Sequence, residues 1–259
     1  MKVRRDEAIW GTVASFDFRS EHLNEVELHL VVDDVMNFFK EIDNLFSTYI
    51  PNSEVSQLRQ GSINIEQCHE WVQTIYKKCL DAREITAGAF DPWAVRGGFD
   101  PSGYVKGWAA DQGVAIAKAA GVEHIQINAG GDISLAGGRS ADEPWNIGIR
   151  HPEERDKVAQ IIALVDGAIA TSGTYERGEH IIDPATLLPA IGARSATVVG
   201  PDAGLAEALA TGLIVAGRSG AHWFLQHHQY SAWVVDPNLY SDATKGGACF
   251  IEAVINICP

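Results

Sequence analysis

Short segments with alternating apolar residues, separated by tight turns, constrain the fold of this chain more than any other feature. Five such segments follow one another at residues 125–128, 133–135, 145–149, 161–165 and 168–171. Alternation with a period of two predicts half-buried strands, and strands joined by tight turns pair antiparallel. Further strands are predicted at 195–200, 230–235 and 248–255. The chain is therefore expected to contain a mainly antiparallel sheet.

Apolar residues at helical spacing predict the elements that cover this sheet. The predicted helices are 33–46 (capped by Asp33 or Asp34), 65–87, an alanine-rich helix from Lys106 to Gly121, 203–216 and a short helix at 221–228. Residues 13–18 and 26–31 alternate as well and predict a hairpin around residues 20–24. Helices on a mainly antiparallel sheet make an α+β fold. Without a repeat or a linker, residues 1–259 are expected to form one compact domain.

The charge of the chain excludes some classes of partner. It has 34 acidic and 20 basic residues, a formal net charge of -14, and no run rich in lysine or arginine. Such a chain is not expected to bind nucleic acid or an anionic membrane. A phosphate-bearing small ligand would need a metal ion, a helix N-terminus or a few well-placed cations.

The N-terminus and the cysteines predict where the chain resides. The first ten residues contain no apolar signal region, and no window approaches ~18 uninterrupted apolar residues. We therefore expect a cytoplasmic protein without a membrane anchor, with an exported protein whose signal region has been removed as the open alternative. The cysteines, at 68, 79, 249 and 258, show no C-x-x-C spacing. Because Cys68 and Cys79 share an apolar helical face with Trp71, both are expected to be buried thiols in a reducing compartment.

The stretch 170–189, A-T-S-G-T-Y-E-R-G-E-H-I-I-D-P-A-T-L-L-P, concentrates residues that carry chemistry. It places hydroxyl groups, the imidazole of His180 and the carboxylate of Asp183 after a short buried run, and Pro184 ends regular pairing. Loops held by a rigid scaffold often carry catalytic residues. A plain turn with a capping Asp, and a structural role for His180, remain open alternatives.

Five separated segments together resemble one family, the ApbE-like flavin transferases (FAD:protein FMN transferases). They are F-S-T-Y-I-P-N-S-E at 46–54, G-A-F-D-P at 88–92, D-P-S-G-Y-V-K-G-W-A-A-D at 100–111, N-A-G-G-D-I at 128–133, and the run from T-S-G at 171 through H-I-I-D-P to A-E-A-L-A-T-G-L at 213. They occur in the family's order and extend over roughly residues 10–215. The resemblance implies an enzyme that moves FMN from FAD onto a Ser or Thr hydroxyl of an acceptor flavoprotein, with Mg2+ (or Mn2+) as cofactor and AMP as the leaving product.

The resemblance also assigns roles to individual residues. The expected FAD contacts are Trp10, Tyr49, Ala89, Phe90, Asp91, Asp100, Lys106 and Ile182. The expected metal ligands are Gly103 (through its backbone carbonyl), Glu207 and Thr211. His180 and Asp183 are the catalytic candidates, since the attacking hydroxyl needs a nearby base.

These residues could instead have ordinary structural roles. Glu207 and Thr211 are four apart and share a helix face, which could equally face solvent. Asp91 and Asp100 could simply start turns before Pro.

The sequence departs from the family pattern at three positions. Glu207 stands where Asp is usual, Trp10 where Met is common near the flavin, and Leu187 where Gly is usual. These departures leave two further functions open, an Mg2+-dependent FAD pyrophosphatase and an inactive FAD-binding or carrier protein.

Overall fold

The structure, a computed structural model, describes residues 1–150, 157–173, 181–235 and 254–255. Within these ranges, eight strands form one sheet and two more form a separate hairpin. The large sheet contains, in spatial order, β1 (Lys2–Ile9), β2 (Thr12–Arg19), β3 (His124–Ala129), β4 (Asp132–Ala136), β7 (Gly167–Gly173), β8 (Ser195–Gly200), β9 (Ser231–Val235) and β10 (Val254–Ile255). Every neighbouring pair among them is antiparallel. The predicted antiparallel sheet is confirmed.

Five α-helices lie in the described part of the chain. They are α1 (Glu25–Phe46), α2 (Glu54–Gln60), α3 (Glu70–Ile85), α4 (Ser102–Ala119) and α5 (Ala203–Ala216), with 3-10 turns at Ile65–Gln67 and Gly217–Leu225. Helices α1, α4 and α5 pack on one face of the sheet and bury its aromatic and aliphatic side chains. The predicted α+β class is therefore confirmed.

The hairpin of β5 (Trp145–Arg150) and β6 (Val158–Leu164) covers part of the sheet's other face. Its Trp145, Ile147 and Ile162 form a small core with Leu135 and Ile169. Both faces of the central strands β4 and β7 are thus covered, which holds these two strands in place.

The predicted hairpin of 13–18 with 26–31 is wrong. Residues 25–46 form one helix, and the partner of β2 is the N-terminal strand β1. Helix α1 is capped by Asn24 in a capping box with Glu27, and not by Asp33 or Asp34. The alternating apolar residues at 26, 28 and 30 do not mark a strand, because only Leu28 among them is buried. Leu28 is the first residue of the buried face of helix α1.

Other boundaries shift by a few residues. The helix predicted from residue 65 begins at Glu70, after a separate 3-10 turn, and the helix predicted from Lys106 begins at Ser102. The last short helix is the 3-10 segment Gly217–Leu225. Residues 236–253 of the final strand region lie outside the described ranges.

The thiols of Cys68 and Cys79 are free and buried, as predicted. Cys68 caps the 3-10 turn before α3, so the two cysteines do not share one helix. Burial raises the pKa of Cys68 to about 11. Within the described residues, none of the helices combines the length and the apolarity that crossing a membrane requires.

Asp111 of α4 links this helix to β4 and to α5. Its Oδ1 accepts a hydrogen bond from Ser134 Oγ at 2.8 Å, and its Oδ2 accepts one from the N–H of Ala203 at 2.8 Å. Asp202 caps α5 beside it, accepting from the N–H of Leu205. Burial is the main cause that raises the pKa of Asp111 from 3.8 to about 7.

The raised pKa of Asp111 predicts a specific pH dependence of stability. Between pH 4 and 7 the folded chain holds a proton that the unfolded chain has released, so the free energy of unfolding falls as pH rises through this window. Asp111→Asn removes this titration. Urea denaturation of both proteins should show the wild type losing about 2–4 kcal/mol relative to the variant from pH 4 to pH 8. A constant difference would contradict the raised pKa.

Candidate active site

Gly103 and Thr211 lie side by side although 108 positions separate them in the sequence. Gly103 is in the first turn of α4, and a Cβ atom there would lie 3.8 Å from Thr211 Oγ1 of α5 and 3.1 Å from Phe90 Cε2. Thr211 Oγ1 is 3.1 Å from Ser172 Oγ of β7. The backbone of Gly103 and two hydroxyl groups therefore meet where α4, α5 and β7 come together.

One turn further along α4, Lys106 lies between two buried carboxylates. Its Nζ donates to Glu207 Oε1 and to the carbonyl of Ser102 (2.8 Å), and lies 3.2 Å from Asp132 Oδ2. Glu207 and Asp132 are each 4% exposed. Glu207 is therefore not a solvent-facing helix position.

The electrostatics of this cluster follow from two carboxylates that share one ammonium group. Burial alone would lower the pKa of Lys106, but Asp132 and Glu207 outweigh it and raise that pKa above its ordinary value. Burial, with the neighbouring Asp132, raises the pKa of Glu207. The ammonium group is thus held charged.

Gly107 allows the two helices to approach closely enough for this cluster to form. A Cβ atom at Gly107 would lie 2.4 Å from the carbonyl oxygen of Ala203 and 2.8 Å from the nitrogen of Gly204. Its N–H donates to Glu207 Oε2 at 3.1 Å. In α-helical geometry this same N–H points at the carbonyl of Gly103, so Glu207 lies near that carbonyl. The three expected metal ligands are thereby brought together.

The loop between α3 and α4 carries the expected FAD contacts Ala89, Phe90, Asp91 and Asp100. Asp91 accepts from Arg83 Nε at 2.7 Å and from the N–H of Trp93 at 2.9 Å. Asp100 accepts from the N–H of Ser102 at 3.0 Å at the start of α4. Both carboxylates thus make the turn contacts expected of an ordinary structural role, and Phe90 of the same loop contacts the Gly103 position.

Three residues of the site were not among the predicted ones. Arg59 of α2 donates through Nη2 to the carbonyl of Arg96 at 2.6 Å. A Cβ atom at Gly97 would lie only 2.4 Å from this Nη2 atom, so the guanidinium group packs directly against the glycine. Asp132 and Ser172 stand in motifs that the sequence marked, N-A-G-G-D and T-S-G, but the motifs alone did not indicate which side chain faces Lys106 or Thr211.

Asp183 organises its own loop. Its Oδ1 accepts from the N–H of Ala185 at 2.8 Å and its Oδ2 from Thr186 Oγ1 at 3.1 Å. Ile182 forms an antiparallel bridge with Pro189. His180 lies outside the described residues.

The two expected aromatic contacts differ in their surroundings. Trp10 lies in the β1–β2 turn with a φ of 54°, and its ring centroid is 4.8 Å from that of Phe39. It is partly buried against the core. The side chain of Tyr49 extends into solvent, since the residue is 94% exposed.

Leu187 occupies the left-handed backbone region, with a φ of 58°. This conformation costs a non-glycine residue about 1–2 kcal/mol, which explains why Gly suits this position. Leu187 is 67% exposed, so its side chain contributes little burial. We expect Leu187→Gly to raise the free energy of unfolding by about 1 kcal/mol, measured by urea denaturation. A destabilised variant would show that the leucine side chain is needed.

The donor set suits a hard divalent cation. A carbonyl, a carboxylate and a hydroxyl group offer only oxygen, as Mg2+ prefers. Among the described residues, no group of three or more His, Cys, Asp or Glu is arranged to hold a metal. The set around Gly103 supplies one carboxylate, so further oxygen ligands would be needed to complete an octahedral shell.

Comparison with known proteins shows which sequences and folds this chain resembles. A sequence model of the ApbE family matches residues 10–97 and 94–234. The FAD:protein FMN transferase of Rhodobacter capsulatus is 37% identical over 127 residues, which is 46% of this chain and 24% of that protein. The enzyme of the same name from Vibrio cholerae is 39% identical over 130 residues, 46% of this chain and 39% of the relative. The chain thus matches less than half the length of either relative.

Solved structures share the fold. The flavin transferase ApbE from Vibrio cholerae superimposes with a TM-score of 0.79 at 23% identity, over 90% of this chain and 93% of that one. The ApbE protein from Thermotoga maritima gives a TM-score of 0.80 at 24% identity, over 90% and 94%.

Proposed function

This chain belongs to the ApbE family, and we propose that it transfers FMN from FAD to a Ser or Thr hydroxyl of an acceptor flavoprotein, releasing AMP. The curated relatives that it matches are named FAD:protein FMN transferases. The observation that carries the proposal is the meeting of Gly103, Glu207 and Thr211, which come from two helices far apart in sequence. A site of oxygen donors suits a cation that neutralises a pyrophosphate.

Gly103, Glu207 and Thr211 would hold Mg2+, with Mn2+ as an alternative. When bound, the ion would offset the charge that builds on the phosphates as the anhydride bond breaks. The chain is acidic, with a formal net charge of -14, so it needs such local compensation to bind a dinucleotide. Lys106 is the second cationic group of the site.

The residues of the chain position the reactants. The loop of Ala89, Phe90, Asp91 and Asp100 would seat the dinucleotide against the start of α4, because Phe90 already contacts the Gly103 position. Trp10, Tyr49 and Ile182 remain proposed contacts of the same ligand.

The transfer itself requires a base. The acceptor oxygen forms a bond to the phosphorus of the FMN half, the P–O bond to AMP breaks, and the hydroxyl proton passes to a side chain. We assign that proton to His180 or Asp183. For Asp183, the carboxylate oxygens already accept bonds from Ala185 and Thr186, which fixes their orientation.

Incubation of the protein with FAD and Mg2+, with and without an acceptor peptide that contains Ser or Thr, tests the proposal. AMP, free FMN and the peptide mass are measured, with EDTA as the control. FMN on the peptide together with AMP supports the transferase. Free FMN and AMP without modified peptide would replace it with a pyrophosphatase, and intact bound FAD would replace it with a binding or carrier protein.

A further inference from the structure

We propose that Lys106 is the resident counter-ion of Glu207 when no metal is bound, and that a divalent cation enters this site only by displacing the ammonium group. The inference rests on the proposed function, because it takes Gly103, Glu207 and Thr211 as the cation ligands. It adds a competing cation that belongs to the protein itself.

The contacts of Glu207 are the first support. One carboxylate oxygen accepts from Lys106 Nζ and the other accepts from the N–H of Gly107 at 3.1 Å. Both oxygens therefore already have a donor. A carboxylate oxygen can accept more than one contact, but a cation on this carboxylate would lie beside the positive charge of Lys106, and like charges in a buried place repel strongly. The Gly107 N–H is fixed in a helix. Lys106 has the flexible side chain that can move.

The contacts of Lys106 indicate where the ammonium group would go. It has three acceptors, namely Glu207, Asp132 and the carbonyl of Ser102. An ammonium group has three donors, so its bonding is complete without a ligand. After displacement from Glu207, Asp132 and the carbonyl of Ser102 would still hold the ammonium group.

The length of Glu207 explains why the competition arises in this chain. The side chain spans from α5 to α4 across the close contact at Gly107. An Asp at position 207 would be one methylene shorter and would retract from Lys106. We therefore attribute the ion pair with Lys106 to the length of the Glu207 side chain.

The charge of Lys106 determines whether it strengthens or weakens the binding of a divalent cation. Lys106 is the cationic group that Asp132 and Glu207 share in a buried place. Removal of the ammonium group leaves two buried carboxylates without compensation, which is costly and favours a divalent cation. Competition with a bound Lys must weaken cation binding in the wild type.

Mn2+ binding to the FAD-free protein, measured by electron paramagnetic resonance titration, tests the inference. We expect Lys106→Met to bind Mn2+ at least tenfold more tightly than the wild type. Lys118→Met is the matched control, because it removes the same charge from an exposed position on the same helix, and its Mn2+ affinity should equal that of the wild type. The double variant with Lys106→Met and Thr211→Val should bind Mn2+ no more tightly than the wild type. Loss of the gain in affinity would show that the bound ion contacts Thr211.

Glu207→Asp provides a second route if Lys106→Met fails to fold. It should also bind Mn2+ more tightly than the wild type, because the shorter carboxylate releases Lys106. Unchanged or weaker Mn2+ affinity in the folded variants would overturn the inference. FMN transfer by the wild type is measured in parallel: normal transfer with unchanged affinities would overturn only the competition, whereas intact FAD in the wild-type reaction would overturn the proposed function.

Discussion

Gly107→Ala is expected to destabilise the protein by about 3 kcal/mol and to abolish FMN transfer. The new methyl group would lie 2.4 Å from the carbonyl oxygen of Ala203 and 2.5 Å from its carbon. These are backbone atoms at the start of α5, which cannot rotate away as a side-chain tip can. The two helices must therefore separate, and the contact of Glu207 with the Gly107 N–H is lost. Thermal or urea unfolding together with the FMN transfer assay measures both effects.

Gly113→Ala on the same helix is the control for Gly107→Ala. A Cβ atom there would lie 2.9 Å from Ile127 Cδ1 and 2.9 Å from Val35 Cγ1, which are side-chain methyl groups and not backbone atoms. Alanine also favours the helix by about 1 kcal/mol relative to glycine. We expect a change within about 1 kcal/mol. Equal losses in the two variants would show that the α4–α5 backbone contact has no special role.

Thr211→Val is expected to lower FMN transfer by about 100-fold, since even an outer-shell partner of a metal site is worth about 10–100-fold. The substitution keeps the shape of the side chain and removes only the hydroxyl group. That group lies beside Gly103 and is hydrogen-bonded with Ser172. The free energy of unfolding should fall by only about 1 kcal/mol, the value of one hydrogen bond.

Thr211→Ser keeps the hydroxyl group and serves as the matched variant. It should retain most of the transfer activity, and raising the Mg2+ concentration should restore part of the activity of Thr211→Val. If both variants were equally active at limiting Mg2+, Thr211 would not be a ligand of the ion.

Patterns that extend over a whole element predicted the fold well. Helix α5 has the predicted bounds, 203–216, because Asp202 caps its start and Gly217, with a φ of 55°, follows its end. The start of α1 was mispredicted because three alternating apolar residues imitate a strand over so short a range. The Asn24 capping box carries the opposite signal, because it marks the start of a helix at Glu25.

The site was predictable where a motif determines local structure and not where a contact joins distant segments. The resemblance selected Gly103, Glu207 and Thr211, which the structure brings together. It did not reveal that Lys106 is bonded to Glu207, 101 positions away, or that Asp132 completes the cluster. Such contacts depend on the distance between α4 and α5, which the absence of a side chain at Gly107 sets.

The cation ligands are tested most directly by anomalous diffraction from crystals grown with FAD and Mn2+. We expect one manganese peak in contact with the Gly103 carbonyl, the Thr211 hydroxyl and the Glu207 carboxylate, with the FAD pyrophosphate beside it and Lys106 turned toward Asp132. A peak elsewhere, or FAD bound with Lys106 still on Glu207 and no manganese between them, would contradict this assignment of the ligands.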